Sequence, residues 1–341
     1  MADRYWVGGT GTWDFSNTAN WSATSGGAGG ASVPTSLDNV FIDSNSGPAN
    51  LVITTGVGYT ARCYTFSMTR GVLQPTYNTD LVVGDFSGGT NSGNFSITGG
   101  YAWYFRYIQI YGSTTGTPST FNVPSSLTST LGGIEFMAGS VQLTANFQTA
   151  AGSNIFRIKS GATLDISGRT VTVSGTFEVE SSGTLLSSSS TLTTSTFTLN
   201  SGAIFNPSGI SLLSVGSQFT DQTSRTYPSV AFTGTVTVDV PASVTFTTLQ
   251  LAGMLVKAGQ TVYVGTLTSV SSTVRSLSTS NSPGQFTLSS PSGTKTLPFL
   301  AISNCNATGG ATWVAPSSSS DMGNNTGIQF ANSRGLLAIF T

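Results

Sequence analysis

Residues 160–205 read SGATLDISGRTVTVSGTFEVESSGTLLSSSSTLTTSTFTLNSGAIF, a run of short steps that open on small residues and contain no catalytic motif. Gly139, Gly161, Gly183 and Gly202 begin comparable steps, AGSVQL, SGATLDI, SGTLL and SGAIF, at intervals of 22, 22 and 19 residues. Between them apolar and polar residues alternate, as at Val171 and Val173, Phe177 and Val179, and Phe197 and Leu199. Period-two alternation sets one face of an extended strand against a core. Runs this short, joined by Gly, Ser and Asn, cannot be helices. A repeat of about 20 residues built from them predicts a coil that cannot bury its apolar face alone and so stacks on copies of itself.

The same idiom continues on both sides. Upstream stand DLVVGDF, GNFSITGG and YIQIYGS, and downstream GTVTVDVPASVTFTTLQLAG and GQTVYVGTLTSV. Val236, Val238, Val240, Val244 and Phe246 are predicted to point inward. Thr235, Thr237 and Thr245 are predicted to point outward, where their β-branched shape still favours extended backbone. Pro207, Pro228 and Pro241 are expected at run edges, where a missing N–H breaks no ladder.

The expected fold is all-β, a right-handed parallel β-helix, with an aromatic-rich N-terminal cap and a turn-rich C-terminal segment. Neighbouring coils lie about 4.8 Å apart, so roughly ten coils would span roughly 50 Å. A meander or sandwich shares the composition but has no reason to keep the recurrence. The expected boundaries are 1–45 for the cap or docking segment, 46–300 for the β-helix and 301–341 for the closing coil and tail.

Composition narrows the partners. Charged residues make up 7% of the 341, against roughly 25% in an ordinary globular domain. The 20 Phe, 10 Tyr and 5 Trp nevertheless supply a core that a disordered chain lacks. A net charge of −1, with the basic residues scattered singly, argues against nucleic acid and anionic membranes. The opening MADRYWVGGTG shows neither a secretory signal nor an anchor, and no apolar run is long enough for a membrane helix. Cys63 and Cys305 lack metal-ligand spacing and read as buried free thiols.

Histidine is absent, which removes the commonest general base and transition-metal ligand. Carboxylates remain. Glycoside hydrolysis needs two of them about 5–9 Å apart over one cleft. Glu178 and Glu180 share an outward strand face, roughly 6.5–7 Å apart, with Asp165 outward on a nearby coil. The preferred reading is an ordinary surface pair, balanced by Arg157, Lys159 or Arg169 on a neighbouring coil. The glycine-rich stretches match no phosphate-binding motif. No enzyme, cofactor or metal site is expected.

The two ends read differently. The start contains YWVGGTGTWDFSNTANWS and then VPTSLDNVFID, so that Trp6 with Gly8, Asn20 to Ser22, and Val33 to Ser36 with Asp38 and Val40 form an ordered set. The end contains ISNCNATGGATWVAPSSSSDMGNNTGIQF. Both resemble the opening and closing segments of repetitive β-helical proteins from tailed-phage virions and bacterial surfaces. In those proteins the closing segment usually reads D-S-N-A-T-G-G-A-T-W and later D-S-G-N-N-T-G-W. Here Asn304 replaces the acid, Met322 the serine and Ile328 the tryptophan, which argues against a cation there and for a turn-rich final coil.

The resemblance implies a virion structural protein, most concretely a capsid decoration or cement protein on a phage head, with the major capsid protein as partner. A tail fibre or spike binding a host glycan, and a bacterial surface or ice-binding solenoid, are the alternatives. Trp6, Trp13 and Trp21 are expected to cap the first coil, and to cap and dock if a shell lies beneath. YAWYFRYIQIY carries aromatic residues on both strand faces, so Trp103, Tyr104 and Tyr107 are expected at a homotrimer interface.

Overall fold

The computed structural model describes residues 1–74, 79–84, 93–99, 105–114, 116–123, 133–149, 154–281 and 283–331. It is a parallel β-solenoid. Among the described residues the helical content is two 3₁₀ turns, Thr18–Asn20 and Pro207–Gly209, and no helix is long and apolar enough to cross a membrane. By its contacts the chain divides into two units, residues 1–194 with 202–209, and residues 195–201 with 210–341.

In the first unit successive coils pair in parallel register. Ile134 stands beside Phe156, and Phe156 beside Phe177, steps of 22 and 21 residues. On another face Val141 stands beside Leu164, Leu164 beside Leu185, and Leu185 beside Phe205. The recurrence around positions 139–205 is therefore the coil length, and the layers are parallel, as the sequence predicted. Because side chains alternate along each strand, one register puts every apolar column inside at once. Phe156 and Phe177 are 0% exposed, and their rings stack at 5.2 Å. Phe66, Phe95 and Phe121 continue the same habit at 5.5 and 5.2 Å. Offset aromatic contacts of this kind contribute about 0.5–1.5 kcal/mol beyond area burial.

The opening glycines do not all share one job. Gly161, at φ 79°, is followed one coil later by Ser182 at 61° and then by Gly202 at 83°. Backbone N–H groups link these three turn positions, Gly161 to the Ser182 carbonyl and Ser182 to the Gly202 carbonyl. The left-handed position in this coil falls on Ser182, one residue before Gly183. Gly139 sits one place out of this column, beside Ala162. Gly175 serves differently: it turns a corner inside the strand Thr170–Val179, where a Cβ would stand 2.1 Å from the Asn154 carbonyl oxygen.

The second unit repeats the scheme. The strands Thr226–Asp239, Ser243–Val256 and Thr261–Ser269 pair in parallel. Val236, Val238, Val240, Val244 and Phe246 are all at most 1% exposed, and Thr235, Thr237 and Thr245 face outward. Pro207 heads a turn and Pro241 follows a strand end, as expected. Pro228 instead lies inside Thr226–Asp239. Inward-facing residues skip there from Tyr227 to Val230, so the proline stands at a corner rather than at an edge. The same skip recurs from Phe246 to Leu249 in the next coil. Cys63 and Cys305 are buried and free; burial raises both thiols, Cys305 to about 12.

Turn position and corner predict opposite responses to small substitutions. Ser182→Gly, which relieves a left-handed side chain, raises the unfolding free energy by about 0.5 kcal/mol, whereas Gly175→Ala, which forces backbone apart, lowers it by about 2 kcal/mol. Urea denaturation of the two variants checks this, and a Gly175→Ala protein as stable as the parent contradicts it.

Candidate functional site

Two surfaces carry the residues singled out by sequence, the N-terminal cap and an outward column of charge. At the cap the strands Asp3–Trp6 and Trp21–Ser22 run antiparallel, and Asp3–Trp6 then pairs in parallel with Asn39–Ile42. Trp6, Trp13 and Trp21 come together, with Trp21 edge-on to each of the others at 5.1 Å. All three are 0% exposed. They close the end of the core from within, and any contact with a partner here would use the residues around them.

Local chemistry explains the spacing of the opening motifs. The Trp6 Nε1 donates to the Gly9 carbonyl at 2.7 Å, and Asn20 Nδ2 donates to the Thr12 carbonyl at 3.0 Å. Gly8 is required because a Cβ there would fall 2.3 Å from the Asn20 Oδ1. Asp38 fastens the next step. Its Oδ2 accepts from the Thr35 hydroxyl and amide at 2.8 and 3.0 Å, and its Oδ1 accepts from the Ala2 amide at 3.1 Å. Burial acts to raise the Asp38 pKa, but these hydrogen bonds and the field of Arg4 outweigh it and hold the carboxyl below its usual value.

Around the cap several apolar side chains stay in solvent. Phe15 is 76% and Val57 84% exposed, and the Phe15 ring lies 6.2 Å from that of Tyr59. Met1 and Leu37 are exposed as well. Burial raises the Tyr59 pKa while the neighbouring Trp13 indole N–H opposes it. That pair falls outside hydrogen-bonding geometry, which leaves Trp13 Nε1 buried and unpaired.

The second surface carries the glutamates that sequence spacing singles out. Gln109, Glu135, Arg157 and Glu178 stand in one outward column on successive coils. Arg157 Nη1 meets Glu135 Oε1 at 3.0 Å, and its Nε meets Glu178 Oε2 at 2.8 Å. Lys159 Nζ holds Glu180 Oε1 at 2.6 Å, and Gln109 Nε2 donates to Glu135 Oε2 at 3.1 Å. Partly buried, Arg157 loses solvation, yet its carboxylate neighbours outweigh that loss and raise its pKa. Glu178 and Glu180 are thus occupied by cations from the adjacent coil, and the balancing residues are Arg157 and Lys159. Arg169 is elsewhere, donating to the Leu143 carbonyl. Asp165 pairs with Gln142 at 3.4 Å and stays apart from the glutamates.

Tyr107 is half-buried on the strand that carries Gln109. The Arg106 guanidinium stands 5.7 Å from its ring centroid and bridges to Asp80 at 2.7 Å. Trp103 and Tyr104 lie outside the described residues.

Sequence reading missed Glu135, although the signal was present: Glu135, Arg157 and Glu178 follow one another at 22 and 21 residues, the coil length, with alternating sign. It also missed Asp221, which is wholly buried and accepts from Arg225 Nη1 at 2.7 Å, Tyr227 OH at 3.0 Å and Thr223 Oγ1 at 2.8 Å. A carboxylate so fully satisfied is a structural pin. Among the described residues no three of Asp, Glu and Cys gather to hold a metal ion.

In the closing segment amide side chains tie neighbouring coils together, with Asn304 in the one place where the related wording has an acid. Asn325 Oδ1 accepts from the Cys305 amide at 3.0 Å, and its Nδ2 donates to the Ile302 carbonyl at 2.8 Å. Asn324 Nδ2 reaches Asn304 Oδ1 at 2.8 Å across the coils. No protein-family model, curated protein or solved structure matches the chain. The fold is a β-solenoid and is consistent with a structural or adhesion protein.

Arg157→Met tests the charged column. Removing the shared cation leaves Glu135 nearly buried and uncompensated, and lowers the unfolding free energy by about 2 kcal/mol, whereas Glu178→Gln costs about 0.5–1 kcal/mol. Equal costs for the two variants in guanidinium denaturation would contradict the shared-cation arrangement.

Proposed function

We propose that the chain is a structural protein of a tailed-phage virion, a capsid decoration or cement protein that assembles as a homotrimer on the head and stabilises the shell. The observation that carries this reading is the exposure of large apolar side chains on the segments next to the buried tryptophans, Phe15 and Val57 above all. Phe15 and Val57 are 76% and 84% exposed, on backbone held in place by Trp13, since the Gly56 amide donates to the Trp13 carbonyl at 3.0 Å. Rigid apolar groups of this kind, in a chain with 7% charged residues, favour a permanent protein partner over free solution. The major capsid protein is the partner proposed for that surface. The half-buried Tyr107 and its strand remain the proposed trimer contact.

A second reading, a tail fibre or spike that binds host glycan, draws support from Tyr263. Its ring is 45% exposed and lies next to Thr245 in a column of hydroxyl-bearing side chains, a setting suited to stacking on a sugar.

Phe15→Ser combined with Val57→Ser separates the readings. The substituted protein melts within about 0.5 kcal/mol of the parent, because both positions are exposed. Its rebinding to particles stripped of the native protein falls by about tenfold or more. Undiminished rebinding, or cryo-electron microscopy density for the protein at the tail and none on the head, would overturn the decoration role.

A further inference from the structure

The second unit contains a cleft that none of the roles above uses. Thr233, Ala252, Val270, Ser271, Ser272, Thr273 and Arg275 line an opening of about 320 Å³, at the small end of ligand sites. Two walls can be traced to the sequence. One is the segment Val270–Val274, which links the strands Thr261–Ser269 and Arg275–Thr279. Ser271 ties it into a turn, accepting from the Thr273 amide at 3.2 Å and donating to the Thr273 carbonyl at 2.5 Å. The opposite wall is Thr233, at the irregularity between Phe232 and Thr235 where the coil bends. Space for Arg275 is left by a glycine, since a Cβ on Gly253 would stand 3.0 Å from the Arg275 Cβ and 2.8 Å from the Thr235 Oγ1.

Arg275 is the unusual element. Most other basic side chains among the described residues have partners: Arg157 and Lys159 with glutamates, Arg106 with Asp80, Arg225 with Asp221, Lys257 with Asp239, and Lys295 with the Gly265 carbonyl. Arg4, Arg70 and Arg169 are held by carbonyl oxygens. Among the described residues the Arg275 guanidinium has no hydrogen bond and no ion pair, and its Nε is buried without a partner. The Nε is closed off from solvent, so what the guanidinium offers the cleft is its two terminal amino groups, with no side chain of the described residues bound to them.

We propose that this cleft binds the carboxylate of an acidic sugar. A guanidinium presents two parallel N–H donors that match a carboxylate. The hydroxyls of Thr233, Ser272 and Thr273 surround it with groups that can donate or accept, as a ring bearing several hydroxyls requires. Val270, 51% exposed, and Ala252 add an apolar patch to the lining for the face of the ring. Among the described residues none that lines the cleft is acidic. A single cation among hydroxyls suits one acid per sugar better than an acidic peptide, whose successive charges would call for several cations. The inference goes beyond both functional readings above, since a chain on a head or on a tail could carry the site.

The test is titration of the full chain, followed by heteronuclear NMR, with sodium glucuronate, N-acetylneuraminate, glucose as the neutral match and a glutamate-rich peptide. Saturable shifts confined to Thr233, Ala252 and residues 270–275 are expected with one or both acidic sugars and not with glucose. Arg275→Gln weakens that binding at least tenfold, Arg275→Lys weakens it less, and Ser272→Trp blocks it. Arg275→Gln leaves the melting temperature unchanged, because the side chain has no intramolecular partner to lose; this separates loss of binding from loss of fold. Absence of saturable shifts with both acidic sugars, or binding that Arg275→Gln does not alter, overturns the site. Preferential binding of the peptide overturns the ligand class. The result is independent of whether Phe15 and Val57 dock on a shell.

Discussion

Within each unit, one register serves two ladders. Backbone hydrogen bonds join each strand to its counterpart a coil later, and the inward side chain at each pairing stands directly against its own equivalent. Phe156 on Phe177 and Val230 beside Leu249 are instances of the same constraint. A shift by one residue would turn the whole apolar set outward, so the register is fixed by burial as well as by hydrogen bonding. What else the molecule does is written on the side of the strands that this constraint leaves free.

That freedom is used for pairing charges between coils. The carboxylates of Glu135, Glu178 and Glu180 fall on one outward face because they occupy outward positions two coils, or two residues, apart. Arg157 and Lys159 lie on the coil between or beside them and neutralise them. A pair that sequence spacing alone makes resemble an acid and a nucleophile is therefore part of the coil-to-coil adhesion. The same physics satisfies the closing segment with amides. Asn304, Asn324 and Asn325 bridge backbone and one another, and of these Asn304 alone stands where the related wording has an acid.

Much of this was legible in the sequence. The alternation at Val171 to Val179 and the recurrence near 20 residues were sufficient for parallel coils, because both follow from backbone geometry. The corner positions were less visible. Ser182 takes the left-handed turn one residue before Gly183, and a serine at positive φ leaves no mark in composition. Pro228 sits within a strand because a corner frees its backbone from the ladder. The tryptophans were identified as a cap but their burial was not: Trp6, Trp13 and Trp21 interlock with one another, and the exposed apolar surface falls to Phe15 and Val57, which no spacing rule marks. Arg275 was invisible for the opposite reason, because what distinguishes it is the lack of a partner in three dimensions.

The central claim is parallel, in-register stacking, and paired nitroxide labels test it most directly. Thr163 and Thr184 are outward register partners on adjacent coils, so labels at these two positions are separated by about one strand spacing, roughly 5 Å between backbones. Cys63 and Cys305 can stay in place, being buried with their thiols held neutral. Strong dipolar broadening of the electron paramagnetic resonance spectrum is predicted for the 163/184 pair, and much weaker broadening for Thr163 paired with Thr172 on a different face of the same coil. Spectra in which the 163/184 pair shows no broadening beyond the single labels would contradict the stacked-coil account.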